Sequence, residues 1–337
     1  MLTTRAAARR IGILGTGSAT PSRIVTNDEA GAEAGVDDAW IHAKTAIRQR
    51  RWAKPDEATG DLAVQAARAA LQDAGLRARD LSLIVLGTST PDSPQPATAC
   101  FVADELGIGH GTAAFDVNAV CSGFAFALAT AEGLLRTSGG AGHALVIGAD
   151  VYSRILDPAD RRTVVLFGDG AGAVVLGPVR PESGRGLIAS RLASFGAERE
   201  LVGVAAGGSR LPSSAQTLAR GEHRFTMNGR GVRDFVAAEV VPAVARFLAD
   251  CGVRPADLAH FVPHQGNGRM LEELAAGLGI PADRTRGSFA AYGNTGAASV
   301  PLTLDLTARS GALAAGDLVL LAAFGGGMTM GLTLLRW

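Results

Sequence analysis

Three residues far apart in this chain carry groups that could act together: Cys121 in DVNAVCSGF, His264 in FVPHQGN and Asn294 in AYGNTGAAS. Each closes a run of β-prone residues, which predicts side chains at strand ends, facing loops where sites are commonly built. Cys121 follows the apolar run Ala113, Ala114, Phe115 and Val117 and opens SGFAFALA (122 to 129), a proline-free stretch of helical composition. The sulfur is therefore expected at a helix N-terminus, where backbone N–H groups and the helix dipole favour thiolate. A thiolate there is a nucleophile able to hold an acyl group as a thioester. Read together, the three residues make one acyl-transfer site.

Each residue alone has a plainer explanation. Free cysteine is among the most buried residue types and is usually inert packing. A single histidine at a strand end is more often structural, and an asparagine between Gly293 and Thr295 suits a turn. Those three explanations are unrelated to one another, whereas one site accounts for all of them.

The 337 residues, 47% hydrophobic and 19% charged, suffice for a large core and suggest two domains or two fused halves. Lys and Arg number 32 against 32 for Asp and Glu, so the basic footprint of a nucleic-acid binder is missing. An acidic partner would have to meet a local patch. Glycines such as Gly168, Gly170 and Gly172 fall at strand-to-loop junctions and suggest tight turns near a site. Cys100, Cys121 and Cys251 form neither a disulfide framework nor a metal-ligand spacing, which points to a reducing cytosol and a site without metal or cofactor. The opening MLTTRAAARR reads as a frayed end before a first strand at 11 to 14, too short an apolar stretch for a signal sequence. No segment approaches the ~20 apolar residues of a membrane span, so no membrane partner is expected.

The elements that must position the site show an internal repeat. A shift of 177 residues lays ALQDAGLRARDLSLIVLG (70 to 87) over FLADCGVRPADLAHFVPH (247 to 264), matching Leu71 with Leu248, Asp73 with Asp250, Gly75 with Gly252, Arg77 with Arg254, Asp80 with Asp257, Leu81 with Leu258 and Val85 with Val262. Each copy reads as an amphipathic helix, a glycine stop, a polar turn and a buried strand. The same shift lays 116 to 123 over 293 to 300, the cysteine loop over the asparagine loop. Alternating helices and apolar strands predict mainly parallel sheets covered by helices. Two pseudo-symmetric α/β halves follow, at 1–178 with the cysteine and 179–337 with the histidine and asparagine, and the site is expected at their seam. The stretch from 180 to 226, rich in Gly, Ser and Arg, reads as a surface excursion. VVLF (164 to 167) reads as strand-like, and LVLLAAFGGG (318 to 327) as a buried strand entering a glycine turn that can expose backbone N–H groups, before a last strand near 331 to 337.

DVNAVCSGF, VLFGDGAGAVVLG, PHQGN, YGNTGAAS and FGGGMTMG, with GTGSATPSRIVTN (15 to 27) and AWIHAKTAIRQRR (39 to 51), resemble the β-ketoacyl-acyl-carrier-protein synthase III family of thiolase-like condensing enzymes over essentially the whole chain. The resemblance implies a five-layer αβαβα fold, a homodimer, and coenzyme A or acyl-carrier-protein thioesters as substrates. It implies that Cys121 takes the acyl group while His264 and Asn294 hydrogen-bond the carbonyl of a malonyl-type extender. Losing CO2 from a malonyl thioester leaves an enolate, and donors aimed at its oxygen stabilise the developing charge. The N–H groups of Cys121 and Gly326 would hold the second oxyanion, and the product is a β-ketoacyl thioester that primes fatty-acid or polyketide chains. The family's pantetheine and nucleotide contacts map onto Trp40, Lys44, Thr45, Arg161 and Asn267, with Arg269 toward the carrier protein and Gln95 at the acyl pocket, across the dimer. FGDGAGA lacks a nucleotide-binding fingerprint and reads as scaffold.

Several positions depart from the common family pattern. Lys44 stands where Arg is usual, exchanging a planar stacking fork for a compact charge. Ala46 replaces a Gly, Gly266 an Ala and Gly296 a Ser, while Gln95 replaces an apolar residue and implies a polar or enlarged starter pocket. Relatives of this kind also transfer the acyl group to a hydroxyl or amine, forming esters or amides without a new carbon–carbon bond. A noncatalytic subunit is disfavoured by the retained cysteine, and a cysteine hydrolase shares the minimal Cys and His set.

Overall fold

The computed structural model describes residues 10–109, 111–140 and 142–337; most of the opening segment MLTTRAAARR lies outside them. One sheet is built from β1 (Arg10–Ala19), β2 (Leu81–Gly87), β3 (Ala113–Val117), β4 (His143–Asp150) and β5 (Gly170–Val179), in the order β1-β5-β4-β2-β3. A second is built from β6 (Gly186–Ser194), β7 (His260–Pro263), β8 (Leu318–Gly325) and β9 (Thr329–Arg336), in the order β7-β8-β9-β6.

Both sheets are mixed, which corrects the expectation of mainly parallel pairing. β2 pairs in parallel with β3 and β4, and β7 with β8; β1 with β5, β4 with β5, β8 with β9 and β9 with β6 run antiparallel. The physical reason is the connections: β8 reaches β9 through a glycine turn, and β4 reaches β5 without a crossover helix.

Strand periodicity explains the layering. Along β2, Leu83 and Val85 face one side while Ile84 and Leu86 face the other; along β8, Val319, Leu321 and Ala323 alternate with Leu320, Ala322 and Phe324. Both faces of each sheet are therefore apolar at these central strands and must be covered there. The helices Thr59–Ala74 and Thr98–Glu105 cover the outside of the first sheet, and Val241–Asp250 and Gly268–Leu278 the outside of the second. Gly123–Thr137 and Ser299–Arg309 fill the middle, where Phe124, Leu128, Val300 and Leu304 join the inward residues of both sheets. The result is the expected five-layer αβαβα arrangement.

The repeat is visible in detail. Helix Thr59–Ala74 ends at left-handed Gly75, and Arg77 N–H then donates to Asp80 at 2.9 Å before β2; after Val241–Asp250 comes left-handed Gly252, and Arg254 N–H donates to Asp257 at 2.9 Å before β7. In the region read as surface excursion, β6 completes the second sheet by pairing with β9. Its sequence hid this because only one face is covered, with Ile188 and Leu192 left exposed on the other.

Candidate active site

Cys121 lies in a short 3-10 turn, Val120–Ser122, between β3 and the helix Gly123–Thr137, so the expected helix start is correct. Val120, just before the sulfur, holds φ +49, a left-handed conformation that a β-branched residue adopts only under constraint. Gly325 allows the close approach that maintains it: a Cβ there would lie 2.8 Å from both the N and Cβ of Cys121. The expectation of a thiolate is corrected. The thiol is 6% exposed, and burial, with the neighbouring Asp150 charge, pushes it up to about 12 against the smaller opposing effects of Tyr152 and the backbone N–H. Desolvation outweighs the helix end.

His264 follows β7 directly, and its N–H donates to Ala322 O at 2.7 Å. Its ring sits edge-on to Phe324, and Nδ1 lies 2.7 Å from Ser299 Oγ. Burial lowers the imidazole to about 3, so the ring is neutral at any physiological pH. Asn294 follows a short helix, Phe289–Tyr292, and not a strand. Its backbone is gripped by the first half: Asn294 N–H donates to Leu166 O at 2.8 Å and Gly168 N–H to Asn294 O at 3.0 Å. The side-chain Oδ1 accepts from Gly296 N–H at 3.0 Å, which orients the amide and leaves the Nδ2 donors to the cavity it lines. Residues 164 to 167, expected as a strand, form turns with one bridge from Phe167 to Asn294. The neighbouring glycines are explained by close packing more than by turns, since a Cβ at Gly168 would lie 2.2 Å from Tyr292 O and one at Gly172 2.4 Å from Leu302 N.

A single cavity of about 410 Å³ brings these parts together, lined by Cys121, His264, Asn294 and Gly326. Its mouth holds Trp40, Lys44, Thr45, Arg161 and Asn267, with the Arg161 guanidinium 5.7 Å from the Trp40 ring centre. Thr45 Oγ1 donates to Ile41 O and accepts from Ile47 N–H, so that hydroxyl holds the helix end. Asn267 caps the helix Gly268–Leu278 by accepting from Met270 N–H. Arg269 lies outside the cavity, exposed, paired with Glu272 at 3.1 Å. Gln95 is also exposed and outside the cavity of this chain.

Behind the sulfur is a wall that the sequence reading missed. Tyr152 is 1% exposed, stacked on Phe167 at 4.5 Å and edge-on to Phe225 at 5.3 Å. Asp150, fully buried at the end of β4, accepts from Thr88, Ser89, Thr90 and Ala297 N–H. A signal existed: Tyr152 is one of two tyrosines in the chain and, like Cys121 and His264, follows a strand end.

The family models for 3-oxoacyl-[acyl-carrier-protein] synthase III match residues 115–196 and, for its C-terminal part, 248–337. The chain is 54% identical to an acetoacetyl CoA synthase of Streptomyces sp. (strain CL190), covering 97% of this chain and 99% of that one. It belongs to the 3-oxoacyl-acyl-carrier-protein synthase III family. This synthase is also 46% identical to a β-ketoacyl-acyl-carrier-protein synthase III of Erythrobacter litoralis, over 97% of this chain and 99% of the relative. Among solved structures it matches the 3-oxoacyl-(acyl carrier protein) synthase III of Pseudomonas aeruginosa at 40% identity and a TM-score of 0.88, with 98% of each chain covered. The Cys, His and Asn cavity thus sits in a condensing-enzyme scaffold that the relatives share over 97% of this chain.

Proposed function

We propose that this synthase forms a carbon–carbon bond by decarboxylative condensation. Cys121 accepts a short acyl group from a thioester, and a malonyl thioester then enters beside His264 and Asn294. We assign the proton of neutral His264 to Nε2, with Ser299 Oγ, 2.7 Å from Nδ1, as the donor on the other side, so that Nε2 and Asn294 Nδ2 face the extender carbonyl. Departure of CO2 leaves an enolate held by those two donors. Its carbon attacks the acyl-cysteine, whose oxyanion the N–H groups of Cys121 and Gly326 receive. The β-ketoacyl thioester leaves, and the released thiolate takes a proton from water.

The observation that carries this reading is the convergence of Cys121, His264 and Asn294 on one cavity. A short starter suits the Phe167 and Phe225 rings, which line the cavity together with Cys121. Coenzyme A is the favoured carrier of both substrates: the Trp40 and Arg161 pair at the mouth offers two flat surfaces to an adenine, and the relative in Streptomyces sp. is named for acetoacetyl CoA. Homodimeric assembly in the cytoplasm accompanies this reading, as does a role in priming fatty-acid or polyketide chains.

Intact-protein mass spectrometry after exposure to acetyl-CoA, followed by addition of malonyl-CoA or malonyl carrier protein, tests it. An acetyl mass gain on Cys121, then CO2 release and a product two carbons longer, is expected. Cys121→Ala should abolish the mass gain and lower condensation by about 10³-fold or more. Transfer to a hydroxyl or amine without CO2 would favour ester or amide formation, and prompt hydrolysis of the acyl-enzyme would favour a hydrolase.

A further inference from the structure

Asn294 stands on a loop, after the short helix Phe289–Tyr292 and Gly293 at φ +65, yet its amide must face a substrate carbonyl in one orientation. What fixes that loop is the stretch 165–169, which lies between two partners. On one side, Leu166 O and Gly168 N–H hold the Asn294 backbone at 2.8 and 3.0 Å. On the other, Val165 O accepts from Arg50 Nη2 at 2.7 Å, Phe167 O accepts from Trp52 Nε1 at 3.1 Å, and Asp169 N–H donates to Arg51 O at 2.8 Å. Even-numbered residues of the stretch thus bond to Asn294 and odd-numbered ones to residues 50–52.

Arg50 is the unusual member of this set. It is fully buried, with Nη2 spent on Val165 O and no partner for Nε or Nη1 among the described residues. Burial pushes the guanidinium down to about 10, against the Asp38 and Glu29 charges, so it is still a cation at neutral pH. Burying a charge with so few hydrogen bonds costs more than an apolar residue of that size would, so packing alone does not account for it. Its stem lies against both glycines that flank the junction: a Cβ at Gly168 would lie 3.0 Å from Arg50 Cβ, and one at Gly293 3.3 Å from it. Trp52 is half-buried and commits its indole N–H to Phe167, a residue that lines the cavity.

We propose that Arg50 and Trp52 are positioning residues for Asn294: they clamp 165–169 from one side so that its other side presents the Asn294 amide to the extender carbonyl. Neither lines the cavity. The role rests on the condensing reading above, in which Asn294 Nδ2 and His264 hold the enolate left by CO2. Loss of the clamp lets the Asn294 loop shift, and a displaced donor binds the developing charge less well. His264 is held separately, by Ala322 O and Ser299, and Cys121 packs against Gly325, so the effect falls on the extender and not on acyl loading.

The test is CO2 release from malonyl-CoA in a Cys121→Ala background, with Trp52→Phe, which keeps a ring and removes one N–H, and Arg50→Lys, which keeps the charge and removes the fork. The kcat should fall about threefold to tenfold with Trp52→Phe and about tenfold or more with Arg50→Lys, with KM within about twofold. With Cys121 restored, acetyl loading read by rapid-quench mass spectrometry should stay within about twofold of the parent enzyme. A double-mutant cycle separates positioning from general damage: in an Asn294→Ala background, where His264 alone remains, adding either substitution should change CO2 release by less than about twofold. Unchanged CO2 release, an equal fall in loading, or an undiminished effect in the Asn294→Ala background overturns the role. Should Arg50→Lys fail to fold, Trp52→Phe carries the same cycle by itself. No CO2 from Cys121→Ala alone, together with no condensation by the parent enzyme, overturns the condensing reading and this role with it.

Discussion

The wall behind Cys121 and the mouth in front of it are built on opposite principles. In the wall, Asp150, Tyr152 and Gly296 fit within van der Waals limits, and the Asp150 and Tyr152 hydroxyl and carboxylate oxygens are hydrogen-bonded. At the mouth, Lys44 and Arg161 are exposed, and Thr45 and Asn267 spend their side-chain oxygens on helix ends. Chemistry that must occur in one geometry is assigned to packed groups, and recognition of a carrier is left to charges that can adapt. Substitutions in the wall should therefore alter rate and stability together, whereas those at the mouth should alter affinity.

Of the substitutions that set wall against mouth, Gly296→Ser should have the largest effect. Besides the two close approaches, Gly296 holds φ +58, so a side chain is strained there as well as crowded. Destabilisation of about 1 to 3 kcal/mol in urea unfolding and at least tenfold slower acyl loading are expected. Wild-type stability with fast loading would show that the wall is softer than its packing implies.

His264 provides a pH signature. Its folded pKa of about 3 lies below the ordinary 6.5, so below about pH 6.5 the unfolded chain binds a proton that the fold refuses. Stability is present above that pH and is lost as pH falls, with a slope approaching at most about 1.4 kcal/mol per pH unit from this residue. Urea midpoints between pH 7 and 5 should show that slope, and His264→Asn should flatten it. Malonyl decarboxylation, needing only the neutral ring, should not follow His264 through this range.

Arg161→Ala tests the mouth. Loss of the guanidinium over Trp40 should raise KM for a coenzyme A thioester about tenfold with kcat within about twofold, since binding to substrate and transition state falls equally. A matching fall in kcat would place Arg161 with the wall. The smallest effect is expected at Ala46, which ends the helix Asp38–Thr45 in a left-handed conformation at φ +58. Ala46→Gly should stabilise by about 1 kcal/mol or less, read from the thermal midpoint.

The difference between wall and mouth also separates what the sequence could reveal from what it could not. The repeat showed the two halves because helix, glycine stop and buried strand each leave a periodic trace, and the Arg77 and Arg254 turns survived in both copies. Cys121, His264 and Asn294 were legible because each interrupts an apolar or glycine-rich context with a reactive or hydrogen-bonding group. Trp40 and Arg161 were found only through family resemblance. Tyr152 and Asp150 were missed because they follow one another across a strand end as an ordinary polar junction; only packing brings Ser89 and Gly296 to them. The protonation of Cys121 was misjudged for a related reason. A helix start is visible in sequence, while burial of the sulfur depends on residues throughout the chain. Antiparallel pairing was hidden because an apolar strand buried on both faces reads the same in either direction.

The helix Ser299–Arg309 is buried against β1 and β5, although it is made some 120 residues after β5 ends. Ile11, Val174 and Leu176 on the inner face of the first sheet thus lack most of their cover until that late segment exists, since the helix Gly123–Thr137 only grazes β1 and β5. During synthesis, the leading sheet must wait, sticky and half dressed, for nearly the whole polypeptide to emerge. Truncation before Ser299 should accordingly yield aggregated protein, not a smaller folded unit, even though every strand of the first sheet would be present.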